Sequence, residues 1–290
     1  MKNSHKLPTS IGIVGLGLIG GSLALDFQSL GIRVHGLVHR SQTAQRAIDR
    51  GLAEVISTEY SVLSGCEVVF IALPIEKLIN PSLELINALP KNAVITDVGS
   101  VKGPILKVWR ELHPLFVASH PMAGTASSGV DSGHQGLFNN KPWVLTPDEK
   151  TDSHSLDVIK NLVFNLGSKL IITEAERHDE VVSLISHLPV LVSAALLRTL
   201  GEQRDPNIIK LSKELASTGF KDTTRVGGGN PELGTSMSAN NTQAILRALS
   251  FYRWNLEKLE EVVLSGNWNQ LYEELNYSKS IRLDYVKNMP

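Results

Sequence analysis

The stretch Ile11-Gly12-Ile13-Val14-Gly15-Leu16-Gly17-Leu18-Ile19-Gly20 decides the fold. The apolar run 11–14 has the length and β-branching of a buried strand, and 22–30 behind it has the character of a helix. Between them, glycines 15, 17 and 20 keep the spacing G-x-G-x-x-G. The first permits a tight turn, the second lets a pyrophosphate approach the backbone, and the third lets helix and strand pack closely. A strand before the motif and a helix after it make Gly15, Leu16, Gly17, Leu18, Ile19 and Gly20 the expected cradle of a dinucleotide, whose phosphates meet the free amides of a helix start.

The next apolar run ends Leu37-Val38-His39-Arg40-Ser41. An NAD-binding turn usually places Asp or Glu here to accept hydrogen bonds from the ribose hydroxyls. No acidic residue occurs between Asp26 and Asp49. Arg40 can pair with a 2′-phosphate, and the missing carboxylate removes its repulsion, so NADP rather than NAD is the expected cofactor, with His39, Arg40 and Ser41 as its contacts.

Working outward, Ser10–Val14, 33–38, 68–73, 94–98 and 116–119 read as strands separated by amphipathic stretches, with a further strand at 143–146 and a helix at 153–166. This predicts an α/β Rossmann domain with a mostly parallel, doubly wound sheet. Ligands bind outside the carboxyl ends of such strands, which singles out Gly15, His39, Pro74, Gly99, Ser100 and His120. Beyond about Glu174 the strand signals stop and long helical periodicity takes over. The expected organisation is a nucleotide-binding domain at 1–173 and an all-α dimerisation and substrate domain at 174–290. The segment 181–200 is apolar nearly all round, which predicts a place in a core or a subunit interface, and hence a homodimer.

Composition narrows the function. The 290 residues carry 28 Lys and Arg against 29 Asp and Glu, so no net field draws the protein to nucleic acid or a membrane, and a small-molecule partner is expected. The single cysteine, Cys66, beside the run 68–73, reads as a small core residue. The chain opens without an apolar leader, and the longest nearly apolar run, 188–197, is short of the ~20 residues a membrane span needs, so a cytoplasmic location is expected. No metal is expected, because His35 and His39 fall on a strand and a lone cysteine builds no site. Nothing follows the last helix that reads as a regulatory domain, so any inhibition by product is expected at the active site.

Four strings place polar groups where they need a reason. They are Asp97-Val98-Gly99-Ser100-Val101-Lys102, Ser119-His120-Pro121-Met122-Ala123-Gly124-Thr125, Ser186-His187-Leu188-Pro189 and Gly219-Phe220-Lys221-Asp222-Thr223-Thr224-Arg225. With the glycine motif, and over roughly 11–275, they resemble the prephenate and arogenate dehydrogenase family, which makes the ring of tyrosine or its precursor. The resemblance implies an active site in the cleft between the two domains. It implies that His120 is the general base on the ring hydroxyl, that Ser100 orients this pair, and that His187 is a second active-site histidine. It further implies that Arg225 grips a substrate carboxylate with Asp222 steadying it, and it makes Thr125 and Ser183 weaker candidates for substrate contacts. Pro231-Glu232-Leu233 followed by Gly234-Thr235 looks like the branch found in cyanobacteria, where arogenate and NADP are the usual pairing; prephenate is the alternative substrate.

The chemistry suits these residue types. Hydride leaves the carbinol carbon as the hydroxyl proton leaves, and a neutral imidazole with an ordinary pKa near ~6.5 is a suitable acceptor, so activity is expected to rise through that pH. The ring ketone then accepts the electrons released with carbon dioxide, and no metal is needed. Two rivals are weaker. A β-hydroxyacid dehydrogenase or imine reductase would carry a lysine in the form G-x-x-G-x-G-x-x-x-K, which does not occur here. A non-catalytic dinucleotide sensor would have no use for Ser100, His120 and Arg225 together.

Overall fold

The computed structural model describes residues 6–125 and 127–287. β1 (Ser10–Val14) runs into α1 (Leu18–Ser29), and the chain continues through β2 (Arg33–Leu37), α2 (Ser41–Asp49) and β3 (Val55–Ser57). A 3-10 turn at Tyr60–Leu63 leads to β4 (Val68–Ile71), α3 (Ile75–Ile79), α4 (Leu83–Ala88), β5 (Val94–Asp97), α5 (Gly103–Leu112) and β6 (Phe116–Val117). These six strands form one wholly parallel sheet in the order β3-β2-β1-β4-β5-β6. The order reverses between β1 and β4, so the crevice where such folds bind ligands opens at the carboxyl end of β1, where the glycine turn sits.

Both faces of this sheet are covered, which is why its strands read as continuous apolar runs. Val68 and Phe70 point into a core with Leu23 and Phe27 of α1, while Val69 and Ile71 point oppositely, into a core with Ile105 and Trp109 of α5. Cys66 is buried in the second core, and burial pushes its thiol up to about 11, the behaviour of a packing residue.

A second sheet follows, built from β7 (Ser119–Pro121), β8 (Pro142–Leu145) and, after α6 (Ser153–Asn165), β9 (Lys169–Ile172). β7 is antiparallel to β8, and β8 is parallel to β9. The single strand expected at 116–119 is therefore two strands in two sheets, broken at Ala118. There the Ser119 N–H turns to a carboxylate oxygen of Asp97 instead of continuing the parallel ladder, and Thr146 N–H takes the Ala118 carbonyl. His120 lies inside β7 rather than just past the first sheet, and His39 lies past the end of β2. β3 and β9 escaped the sequence reading because one has only three residues and the other is exposed along its whole length.

From Ala175 the described chain is helical. α7 (Ala175–Val182), a π-helical turn at Ser183–His187 and α8 (Leu188–Gly201) form one continuous rod, followed by α9 (Pro206–Leu215), α10 (Thr218–Thr224), α11 (Pro231–Asn240), α12 (Thr242–Leu264) and α13 (Trp268–Val286). The π turn has a local cause. Pro189 has no N–H to donate and its ring crowds the carbonyl four residues back, that of Ile185, so the backbone widens and Leu188 N–H reaches Ser183 O. This half meets the sheet half where α7 packs on α5 and α11 on α3.

The rod changes two expectations. It spans 27 residues and contains an 18-residue stretch of mean hydropathy 1.8, long and apolar enough by length and composition alone to cross a membrane, whereas the run 188–197 by itself is too short. Within the chain it buries one stripe, including Val182, Ser183, His187 and Ser193, and leaves Val181, Leu184, Ile185 and Leu196 exposed. An internal core therefore does not account for 181–200.

Gly20 shows how tightly the first turn is closed: a Cβ there would sit 1.9 Å from the carbonyl oxygen of Gly15. Gly20→Ala is expected to cost about 2–3 kcal/mol by overpacking and to lower the thermal unfolding midpoint. A midpoint equal to that of the unsubstituted protein would show that the turn can widen freely.

Candidate active site

Gly15 adopts φ +92°, and its N–H closes the turn on Leu37 O at 2.9 Å. A Cβ at Gly15 would lie 2.5 Å from Ala72 O, whereas one at Gly17 would meet nothing within 4 Å. The turn is thus closed on its protein side and open at Gly17, the motif's second glycine, where such turns let a pyrophosphate approach. No side chain caps α1, so its first amides are free to face a phosphate. At the end of β2, His39, Arg40 and Ser41 are all exposed, and α2 also begins without a side-chain cap.

Residues 133–136, in the loop after β7, lie against α1. Gly133 comes so close to Gly21 that a Cβ would sit 2.9 Å from the Gly21 carbonyl carbon. Ser22 Oγ accepts His134 N–H at 3.0 Å, and Asp26 Oδ1 accepts Gly136 N–H at 2.8 Å. The Arg50 guanidinium donates to the carbonyls of Val130 and Gly133. Thr125 sits in this loop, exposed, its Oγ1 accepting Ser127 N–H at 3.2 Å.

A buried polar cluster occupies the junction of the two halves. Asp97, at the end of β5, and Lys102, just before α5, form an ion pair with no exposed side-chain surface. Lys102 Nζ also donates to Ser119 O, while Asp97 accepts Gly99 N–H at 2.8 Å and Ser119 N–H at 3.1 Å. This fixes the backbone beside His120. The His120 Nδ1 lies 2.9 Å from Nε2 of His178 on α7, with the two rings edge to face. His178 Nδ1 is 2.8 Å from Asp179 Oδ1, and the Asp179 carboxylate caps α5 by accepting the N–H groups of Lys102 at 2.7 Å and Gly103 at 2.8 Å. Asn241 at the start of α12 donates to Asp179 O at 2.7 Å and lies 3.3 Å from His187 Nδ1.

Of the residues singled out from sequence, the structure draws His120 and His187 into one buried cluster. Ser100 is half-buried at the neighbouring strand end. Ser183 is buried, but its hydroxyl donates to Glu180 O at 2.6 Å within its own helix. Arg225 is exposed at the end of α10, and no ion pair joins it to Asp222 among the described residues, so the steadying partner expected from the sequence is not seen. Four members of the cluster, His178, Asp179, Asn241 and Lys102, carry no functional expectation from the sequence. They were legible in one respect: Ala175, His178, Asp179, Val182, Ser183 and His187 make one helical stripe, and a buried stripe carrying two imidazoles and a carboxylate is not a packing pattern.

Burial holds the His120 imidazole well below its ordinary value, with His178, Lys102 and His187 adding to the effect. Burial likewise pushes His187 down to about 4, against the attraction of Asp179 and with His178 adding. Both rings are therefore neutral across the physiological range, and the expected rise of activity near 6.5 moves to lower pH.

Removing one partner of the buried ion pair should be costly, because the Asp97 carboxylate would lose its countercharge with no access to water. Lys102→Met is expected to lose about 3–5 kcal/mol in a denaturant titration. A loss below about 1 kcal/mol would mean that the two backbone N–H groups suffice to hold that carboxylate.

Comparison with known proteins covers both halves. A family model described as prephenate dehydrogenase, nucleotide-binding domain, matches residues 23–172, and one described as prephenate dehydrogenase, dimerization domain, matches 174–277. The prephenate dehydrogenase of Bacillus subtilis is 30% identical over 285 residues, covering 96% of this chain and 76% of that protein. The crystal structure of Synechocystis arogenate dehydrogenase superposes with a TM-score of 0.82 at 40% identity, covering 96% of this chain and 100% of that one. Prephenate dehydrogenase from Aquifex aeolicus, in complex with hydroxyphenyl propionate and NAD+, gives a TM-score of 0.89 at 27% identity, covering 98% and 100%. The sheet half and the helical half are each accounted for, in this order and over nearly the whole length, and the chain belongs to the prephenate dehydrogenase family.

Proposed function

We propose that the protein is an NADP-dependent arogenate dehydrogenase that converts L-arogenate to L-tyrosine and carbon dioxide. The observation that carries this reading is His120, buried where the halves meet, with Nδ1 engaged by His178 so that Nε2 is left for a substrate hydroxyl. Arogenate is favoured over prephenate by the 40% identity to the Synechocystis enzyme and by Gly234-Thr235 after the Pro-Glu pair. Prephenate is the second reading, favoured by the Bacillus relative.

The residues present fit a dinucleotide. The open space at Gly17 and the uncapped start of α1 suit a pyrophosphate, and the exposed His39, Arg40 and Ser41, with no carboxylate between Asp26 and Asp49, suit a 2′-phosphate. When bound, the nicotinamide supplies the acceptor for the hydride lost from the substrate's carbinol carbon. His120 takes the hydroxyl proton at Nε2 as that hydride leaves, and Ser100 orients the hydroxyl. Arg225, exposed and without an ion-pair partner among the described residues, receives a substrate carboxylate. Neutral His187 closes the site without adding a charge. Decarboxylation needs no further group, since the ring ketone takes up the electrons. Thr125, exposed in the loop after β7, and Ser183, whose hydroxyl is held by Glu180 O, are the weaker candidates for substrate contacts.

In this reading residues 1–173 hold the cofactor and 174–290 complete the substrate site and pair with a second copy. The exposed apolar rows on the rod and on α12 and α13, including Leu196, Phe251, Trp254 and Trp268, support a homodimer, and a protein partner there accounts for the hydropathy of the rod without a membrane. A cytoplasmic location goes with this assignment.

Purified protein offered arogenate and prephenate with NADP and NAD in turn is expected to give its highest kcat/KM with arogenate and NADP. A higher value with prephenate or with NAD would overturn that part of the assignment, and turnover of neither substrate would overturn the whole. His120→Asn should lower kcat by about 10²–10⁴-fold. Because the His120 pKa lies well below 6.5, the neutral base is fully present above that pH, so kcat/KM should be flat upward from 6.5 and fall only on the acid side. An inflection centred at or above 6.5 would contradict the buried, neutral base.

A further inference from the structure

The contact between His178 and His120 does not by itself say which nitrogens carry hydrogen, but a buried carboxylate next to it does. Asp179 stands where two backbone N–H groups, which can only donate, already point at its two oxygens: Lys102 N at Oδ1 and Gly103 N at Oδ2. A carboxylate offers no proton of its own, so the His178 Nδ1 at 2.8 Å must be the protonated nitrogen. A neutral imidazole carries one N–H, and the His178 Nε2 is therefore a lone pair. That lone pair lies 2.9 Å from His120 Nδ1, which must in turn carry the hydrogen. What is left on His120 is an unprotonated Nε2.

From this chain of donors and acceptors we propose that Asp179 and His178 are positioning residues that hold His120 in the one neutral tautomer able to accept a proton at Nε2. The proposal rests on the reading of His120 as the base. It also joins chemistry to architecture, because the carboxylate that orients His178 is the one that caps α5, so the tautomer is set only while the two halves are docked. When Nε2 takes the substrate proton, the Nδ1–H of His120 strengthens its bond to His178, and the developing positive charge is shared along a line that ends at Asp179. The opposite polarity, with the His178 Nε2 protonated and donating, would leave His120 with Nε2–H and no lone pair for the substrate.

The test reads the tautomer directly. Nitrogen-15 spectra of histidine-labelled protein without substrate, with His120 assigned by its loss in His120→Asn, are expected to show Nδ1 protonated and Nε2 bare. A His120 protonated at Nε2 overturns the proposal. His178→Leu removes the acceptor and is expected to lower kcat by about 10²–10⁴-fold while changing KM by less than about threefold. His178→Gln retains an acceptor oxygen and is expected to keep the Nδ1–H tautomer and recover at least about a tenth of kcat. Wild-type kcat in His178→Leu overturns the proposal, as does an equal loss in both variants, which would mark a structural role. If His178→Leu does not fold, the wild-type spectrum and His178→Gln still decide. A wild-type protein that shows the Nδ1–H tautomer but turns over neither substrate refutes the enzymatic reading and leaves the arrangement standing; Nε2–H in an active enzyme does the reverse.

Discussion

The carboxylate of Asp179 is the contact on which the rest depends. It reaches from the first helix of the helical half to the N–H groups of Lys102 and Gly103 at the start of α5 in the sheet half, where no side-chain cap is otherwise present. A negative charge at a helix start is favoured by the helix dipole as well as by the hydrogen bonds, and burial keeps water from weakening either. The same oxygen that closes the cap touches His178, so one side chain serves both the docking of the halves and the order of the imidazoles. An interface made only of apolar side chains would tolerate sliding, whereas two N–H groups aimed at one carboxylate tolerate little.

Beside this contact a second pair of buried charges finds its partners. Lys102 is wholly buried yet faces a carboxylate and a carbonyl, and Asp97 faces an ammonium and two amides. Their combined grip on Ser119 places β7, and hence His120, at a definite distance from α7. The nucleotide turn is built by a different device, the absence of side chains: glycines bring backbone to within contact at 15 and 20 and leave space at 17. The two devices meet because the loop after β7 returns to lie on α1, pinned by Ser22, Asp26 and Arg50. The segment that packs on α1 thus continues from the strand that carries His120.

The nucleotide half was legible because its information is local. The glycine spacing, the apolar strand before it and the missing acidic residue after β2 are each read within about forty residues of sequence. His120 and His187 were legible through the strings around them. What was not legible depends on encounters between distant residues. Nothing near Ala118 announces that the strand will change sheets, because the cause is a carboxylate at Asp97. Nothing near His178 announces its contact with His120, because its partners are 58 residues earlier and one residue later in the chain. The apolar reading of the rod began at 181, just past the His-Asp pair, and so described the face that seeks a partner while missing the face that seeks the sheet. Arg225 is the converse case, visible from its string but exposed in the fold, with Asp222 not beside it as an ion pair.

The π turn at Ser183–His187 lets one rod serve two masters. An α-helix advances each residue by about 100°, so a stripe that faces α5 at Asp179 would by itself drift around the cylinder before reaching α10. A single wide turn resets that phase. The segment before it is clocked to the sheet half and the segment after it to the helical bundle, with His187 at the joint between two angular settings. Pro189 favours the reset, since a continuous α-helical ladder through that point lacks the amide to complete it.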